Sequence, residues 1–334
     1  MSWWPARLGN TGLMTSAGLC EIHLVNSAIL RANQTGRSFT DAVGHWVKDM
    51  NEFPIRLEDS VIASFRADGF VVTPEVLTAS ELDRYATAVD AEVAERTADD
   101  QRDIAEKTTY EQSFIQCMRL WETNEGVRLL SCHTGLAGIA TQLLGVASVR
   151  LWQDQALYKE PGGRETTPHQ DETFWPIGDE PLVSAWIPFQ DVRLEHGAMA
   201  YVPGSHKAGS LRVVDITHQS EPYDILQDPA LQGREPQFVE VEAGSVIWHH
   251  GMTVHQAAAN TSNQTRRAFT VVYISSAARR VKEWPTYPLD REGIKVGEMM
   301  RGDGMPVLWP APEQLPTPPE LIGEKTGPQY EVPK

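Results

Sequence analysis

The chain has 334 residues, 41% of them apolar and 22% charged, with a formal net charge of −16. That describes a globular chain long enough to bury a large core, and it sets aside disordered and fibrous classes. So negative a charge argues against nucleic acid as a general partner, and no run of about 18 apolar residues suggests a membrane span.

Cys20, Cys117 and Cys132 are widely spaced and form no C-x-x-C, which suits reduced cytoplasmic thiols better than a disulfide frame or a zinc site. The first residues lack a basic stretch followed by an apolar one, so secretion is not expected. Residues 1–50 scatter Gly, Asn, Ser and Trp without a sustained period. They are expected to be a poorly ordered extension, or a start placed too early with Met50 as the alternative; a short helix near 39–50 is the other reading.

From 55 the patterning changes. "RLEDSVIASFRADGFVVTPEVLTASELDRYATAVDAEVAER" predicts a helix, a turn at Gly69, a short strand over Phe70–Val72 and a long amphipathic helix. Ala79 or Ser80 would cap that helix, with Glu81 in its first turn. Residues 126–144 predict one or two further helices ending at Gly145. After 147 come β-rich runs separated by turn residues: "SVRLWQDQALYKEPGG", "LVSAWIPFQDV", "GAMAYVPGSH", "QFVEVEAGSVIWHHG", "TVHQAAAN" and "RRAFTVVYISS". Helices followed by many short strands predict a mainly β fold with flanking helices, an antiparallel barrel or jelly roll. The domain is expected over 51–312. The proline-rich stretch 281–334 is expected to run extended over the surface, with 313–334 as a tail.

Within "TPHQDETFWP", His169 and Asp171 would project to one face of a strand. "GSVIWHHGMTVHQ" offers His249, His250 and His255 as a third ligand. Two histidines and one carboxylate leave open positions on an octahedral ion, as in non-haem Fe(II) oxygenases, whereas a structural zinc site would be closed by four ligands.

The motifs "HQD", "SAWIPFQDV", "GAMAYVPGSHK" and "H-x4-N-x-S-x3-RRA", in that order, resemble the phytanoyl-CoA dioxygenase family. The resemblance covers about residues 55–312, with its motifs concentrated in 150–275. Members are Fe(II)- and 2-oxoglutarate-dependent oxygenases on a double-stranded β-helix, a cupin-like jelly roll. The resemblance implies His169, Asp171 and His255 as iron ligands and Arg266 as the group binding the distal carboxylate of 2-oxoglutarate. Strand alternation alone does not choose between Arg266 and Arg267; the family spacing favours Arg266. The resemblance also places Gln153 against co-substrate or substrate, and Trp186 beside the 2-oxoglutarate tail with its indole N–H as a donor.

Phe174 and Trp175 follow a ligand directly and are read as walls of the substrate pocket or as core, and Trp152 as core. His249 and His250 are adjacent, so at most one faces inward, and both are read as structural. His206 in "PGSHK" is read as a turn residue, and Lys159 and Arg164 as a solvated loop rather than a gate for an anionic substrate. Segments 98–120 and 207–236 are expected to cover the pocket.

The implied reaction hydroxylates a C–H bond of a small organic substrate, consumes O2 and releases succinate and CO2. The carboxylate at 171 points away from halogenation, for which relatives carry a small residue there. The alternatives are a metal-dependent lyase or isomerase working without 2-oxoglutarate, against which Arg266 speaks, and a non-catalytic ligand-binding barrel. The acidic surface disfavours a polyanionic CoA thioester. No oligomeric state follows from the sequence.

Overall fold

The computed structural model describes residues 53–178, 181–216 and 223–320. The expected extension over 1–50 and the tail from 321 onward lie outside these residues.

The first helix, α1 (Asp59–Asp68), ends on Gly69, whose φ of 81° favours glycine. A side chain there would also collide, since a Cβ would lie 2.3 Å from His206 Nδ1. The chain passes straight into β1 (Phe70–Thr73). Helix α2 (Ala79–Arg96) is capped by Thr78, one residue before the expected caps. Glu81 N–H donates to Thr78 Oγ1 at 3.3 Å while Thr78 N–H donates to Glu81 Oε2 at 3.0 Å. Thr78 prevails because a reciprocal box needs the carboxylate three residues after the cap. Helices α3 (Glu125–Ser131) and α4 (Thr134–Leu144) fill the next expected stretch, and α4 ends at Gly145 with φ 67°.

The remaining strands are β2 (Ile115–Met118), β3 (Val149–Lys159), β4 (Thr166–His169), β5 (Leu182–Pro188), β6 (Met199–Tyr201), β7 (Gln237–Val239), β8 (Val246–His250), β9 (His255–Ala257), β10 (Arg266–Ser275) and β11 (Val307–Trp309). A seven-stranded sheet runs β1-β8-β5-β10-β3-β11, with β2 also on β3, and a four-stranded sheet runs β4-β9-β6-β7. The pairings are antiparallel, and the architecture is the expected jelly roll with flanking helices.

Strands β5 and β10 are buried on both faces, which is why "LVSAWIP" is apolar at every position but Ser184. Val183, Ala185, Ile187, Phe269, Val271 and Tyr273 join a core with Val89, Leu136 and Ile139 of the helices. Trp186 and Ala268 project the other way, into a core shared with Met199, Tyr201 and Ala257 of the small sheet.

The C-terminal expectation needs correction. Residues 281–312 are not a surface strap: α5 (Tyr287–Arg291) and β11 lie here, and Leu289, Met300, Met305 and Leu308 are fully buried. Their buried apolar residues follow no regular period, so no pattern announces them. Arg280 holds the segment by donating to the carbonyls of Lys282, Trp284 and Ile294 and to Asp290. Residues 313–320 form no helix or strand. Among the described residues no helix is long and apolar enough to cross a membrane.

Candidate metal centre

His169 closes β4, His255 opens β9, and the two are direct cross-strand partners. Their rings therefore share a face, with centroids 4.4 Å apart. In each ring Nδ1 meets a backbone carbonyl two residues upstream, Thr167 O at 2.7 Å and Thr253 O at 2.9 Å. A carbonyl only accepts, so Nδ1 carries the proton and Nε2 presents a lone pair. Burial pushes the His255 pKa down to about 3, leaving the neutral imidazole that binds metals.

Asp171 arrives differently from expectation. β4 stops at His169, and Asp171 begins a 3-10 turn, Asp171–Phe174. Gln170 between them keeps an extended backbone (φ −113°, ψ 129°), so the alternation carries one residue past the ladder. Asp171 Oδ1 lies 3.6 Å from Nε2 of both His169 and His255. The three ligand atoms fall within 4.8 Å of one another, and no other such cluster occurs among the described residues.

The other carboxylate oxygen is tethered. Asp171 Oδ2 accepts from Ser184 Oγ at 3.1 Å and lies 3.2 Å from His249 Nε2. Ser184 and His249 are themselves cross-strand partners on β5 and β8. Burial alone would push the Asp171 carboxyl up. The neighbouring histidines, His255 first, outweigh it and hold the carboxyl well below the usual carboxylate range.

His249 is thus more than the structural residue read from sequence: it faces the site, while His250 turns to its own loop and accepts from Met252 N–H at 3.1 Å. Because β8 is buried on both faces, its sequence carries no apolar–polar contrast to reveal which histidine points inward. His206 sits in a 3-10 turn, as read, with Nε2 3.3 Å from Arg66 O. His249→Ala and Ser184→Ala should each leave the protein folded but weaken Fe(II) binding by roughly ten- to a hundred-fold, measured by anaerobic titration. Unchanged affinity in both would show that Asp171 needs neither anchor.

Gln170, the spacer of the H-x-D motif, also has work that its position did not reveal. It is 1% exposed. Its Nε2 donates to Gly209 O at 2.9 Å and Met252 O at 2.7 Å, and its Oε1 accepts from Leu211 N–H at 2.8 Å. The residue pointing away from the triad clamps two loops beside it.

The triad opens into a cleft of about 930 Å³, its mouth included. Gln153, Phe174, Trp175, Trp186, Arg266 and Thr270 line it. Arg266 is 2% exposed, and its Nε meets no acceptor. Among the described residues no carboxylate pairs with it; Nη1 only approaches Gly197 O at 3.5 Å. Its guanidinium carbon lies 5.3 Å from the centre of the Trp186 ring. Trp186 Nε1 and Thr270 Oγ1, on residues paired across β5 and β10, are also buried without partners. Burial lowers the Arg266 pKa to about 10, so the group stays cationic at neutral pH. A buried cation beside two unpartnered polar groups is costly unless an anion completes the set.

Arg267 points to the opposite side, where Nη1 meets Asp90 Oδ2 at 2.5 Å. The turn before it is closed by Asn260, whose Nδ2 donates to Lys159 O at 2.8 Å and Gln264 O at 2.7 Å. Lys159 is no solvated loop residue. It ends β3 opposite Arg266, is fully buried, and donates to Arg164 O and Thr166 Oγ1. Burial, with Arg266 adding to it, lowers its pKa to about 7. Arg164 is half-buried and pairs with Glu165 at 3.2 Å.

Phe174 and Trp175 serve as both core and wall. The Phe174 ring lies 5.9 Å from His169, and Trp175 meets Trp152 edge-on at 6.2 Å. Tyr110, Phe114, Gln116, Met118 and Ile216 also line the cleft, from the two segments expected to cover it. Residues 217–222 fall outside the described set.

The chain is similar to known proteins. Phytanoyl-CoA dioxygenase of Arabidopsis thaliana is 31% identical over 134 residues, 40% of this chain and 47% of the relative. The Mus musculus phytanoyl-CoA dioxygenase domain-containing protein 1 is 33% identical over 152 residues, 43% and 52% of the two chains. The chain spans about half the length of the curated relatives it matches. Among solved structures, the non-heme alpha-ketoglutarate-dependent carbocyclase SnoK from nogalamycin biosynthesis is 29% identical with a TM-score of 0.62, covering 75% of this chain and 96% of its own. The epimerase SnoN, in complex with Fe3+, alpha-ketoglutarate and nogalamycin RO, is 26% identical with a TM-score of 0.64, covering 75% and 98%. The phytanoyl-CoA dioxygenase (PhyH) family matches residues 65–268 of the 334. A match that starts in α1, reaches β10 and takes in more than half of the residues makes this chain a member of the phytanoyl-CoA dioxygenase family.

Proposed function

We propose that this protein is an Fe(II)- and 2-oxoglutarate-dependent dioxygenase that hydroxylates a C–H bond of a small organic substrate. The observation that carries this reading is Arg266, a buried cation without a carboxylate partner among the described residues, lining the same cleft as the His169–Asp171–His255 cluster. Two imidazoles and one carboxylate suit Fe(II) and leave positions open. His169 Nε2, Asp171 Oδ1 and His255 Nε2 would hold the ion. Arg266, Trp186 Nε1 and Thr270 Oγ1 would hold the distal carboxylate of 2-oxoglutarate, a guanidinium being suited to a two-point contact.

Iron with 2-oxoglutarate and O2 supplies an oxidant able to break an unactivated C–H bond, with succinate and CO2 released. The protein's own part is positional. Ser184 and His249 keep Asp171 from swinging, so the carboxylate presents Oδ1 to the histidine side. Phe174 and Trp175 keep bulk water from the triad's flank, and Gln153 stands where a bound molecule meets it. The carboxylate at 171 favours hydroxylation over halogenation. A second outcome has support in the names of SnoK and SnoN, a carbocyclase and an epimerase, since ring closure or inversion can follow the same hydrogen abstraction. We place the oxygenase domain at 51–312 and its setting in the cytoplasm, in keeping with the free, buried Cys117 and Cys132.

The test is succinate release that depends on Fe(II), 2-oxoglutarate and an added substrate, with product mass measured under labelled O2. Gain of one labelled oxygen supports hydroxylation, and a product without it supports ring closure or inversion. If 2-oxoglutarate neither binds nor turns over, the lyase, isomerase or ligand-binding reading takes its place.

A further inference from the structure

One wall of the cleft is built of amides. On β3, Gln153, Gln155 and Leu157 face the cavity together, and Gln116 and Met118 join them from β2, which pairs Gln116 with Leu157 and Met118 with Gln155. These amides are linked. The Tyr110 hydroxyl donates to Gln116 Oε1 at 2.9 Å, and Gln116 Nε2 donates to Gln155 Oε1 at 2.6 Å. Burial, with the charge of Asp171 adding to it, raises the Tyr110 pKa, so the phenol keeps its proton and serves as the donor that sets the chain's direction. The chain thereby fixes the Gln155 amide with its Nε2 as the free end. No described residue accepts from that nitrogen, and Gln155 is only half-buried, so its N–H groups remain available to a molecule in the cleft.

The opposite wall is apolar: Phe174, Trp175, Met199 and Ile216. Charge is nearly absent. Apart from the histidines, the charged residues lining the cleft among the described ones are Asp171, turned to the triad, and Arg266, at the co-substrate end. Among the described residues, a phosphate or carboxylate on the substrate would find no second cation, and an ammonium no second carboxylate. A saturated acyl chain would cover the free Gln155 Nε2 and leave its N–H groups without an acceptor, which is unfavourable.

Resting on the oxygenase reading above, we infer that the substrate is an uncharged ring compound bearing hydroxyl or carbonyl oxygens. Its oxygens meet the Gln116–Gln155 wall, its faces lie against Phe174 and Trp175, and an acyl-CoA thioester is not the molecule this cleft selects.

Three probes test this by calorimetric titration, at neutral pH and without oxygen, into the full chain loaded with Fe(II) and 2-oxoglutarate. They are 1,8-dihydroxyanthraquinone (uncharged, with edge oxygens), anthraquinone-2-sulfonate (the same ring system, charged) and palmitoyl-CoA. The dihydroxy compound is expected to bind at least about tenfold more tightly than either other probe. Gln155→Leu is expected to raise its Kd by about tenfold, and Tyr110→Phe by a smaller factor, with melting temperatures retained. Equal or tighter binding of the sulfonate or palmitoyl-CoA overturns the proposal, even if the variants fail to fold. So does an unchanged Kd in folded Gln155→Leu. The charge-transfer absorption of the Fe(II)–2-oxoglutarate complex separates the two levels. If it forms and no probe binds, the substrate class is wrong and the oxygenase reading stands. If it never forms, the oxygenase reading fails and this proposal falls with it.

Discussion

Arg266→Ala should leave Fe(II) affinity nearly unchanged and raise the 2-oxoglutarate dissociation constant roughly thirty- to a thousand-fold. The expectation follows from a guanidinium that is 2% exposed and unmatched by any carboxylate among the described residues. Losing a charge-assisted two-point contact in such surroundings costs about 2–4 kcal/mol, which converts to that range. Arg266→Lys should recover only part, because one ammonium does not reproduce the planar fork and would sit differently over Trp186. Arg267→Ala is the control and should be mild for the co-substrate, since its guanidinium faces Asp90 on the outer side. Titration of 2-oxoglutarate into each iron-loaded variant reads all three. Loss of binding in Arg267→Ala alone would mean that strand β10 presents its other face, and no effect in any variant would remove 2-oxoglutarate from the reading.

The second large effect is expected at the triad. His169→Ala, Asp171→Ala and His255→Ala should each abolish stoichiometric Fe(II) binding and succinate formation, read by metal analysis and by assay. The three positions are not equivalent. Either histidine variant leaves Asp171 beside the other triad imidazole and held by Ser184 and His249, whereas Asp171→Ala strips those two of their shared acceptor. Asp171→Ala should therefore lower the melting temperature of the metal-free protein most. Metal adds a thermal readout. Wild type should gain about 2.7 kcal/mol at a hundredfold excess of Fe(II) over its Kd, and the variants should gain almost nothing. Activity retained in any two variants would sink the triad.

What sequence shows of this protein follows the range of its signals. Local spacing works well where the physics is local: the turn at Gly69, the helix end at Gly145 and the runs that become β3, β5 and β10 all rest on neighbours a few residues apart. The same logic corrected itself at α2, because Thr78 stands three residues from Glu81 and the better-looking Ser80 does not. Signals fail where strands are covered on both faces. β8 and β10 are buried on both faces along most of their length, so parity is hidden, and His249 against His250 or Arg266 against Arg267 is not decided by alternation but by the sheets that enclose them. They also fail for Lys159 and for residues 281–312, whose burial depends on partners far along the chain. The clustering of His169, Asp171 and His255 was readable because the resemblance supplied an order of motifs that composition does not contain.

Both histidines of the triad belong to the four-stranded sheet, as facing residues of β4 and β9, while the two groups gripping Asp171 belong to β5 and β8 of the seven-stranded one. The carboxylate thus spans the gap between the layers of the sandwich, one oxygen toward each. An ion bound at Oδ1 would act as a rivet between sheets that otherwise meet through side-chain packing and a few hydrogen bonds, such as that from Lys159 to Thr166 Oγ1. Occupancy of the centre and the tightness of the sandwich would then be a single property: anything that pries the layers apart, from heat to a bulky residue in the inner core, would be felt first as a loss of iron.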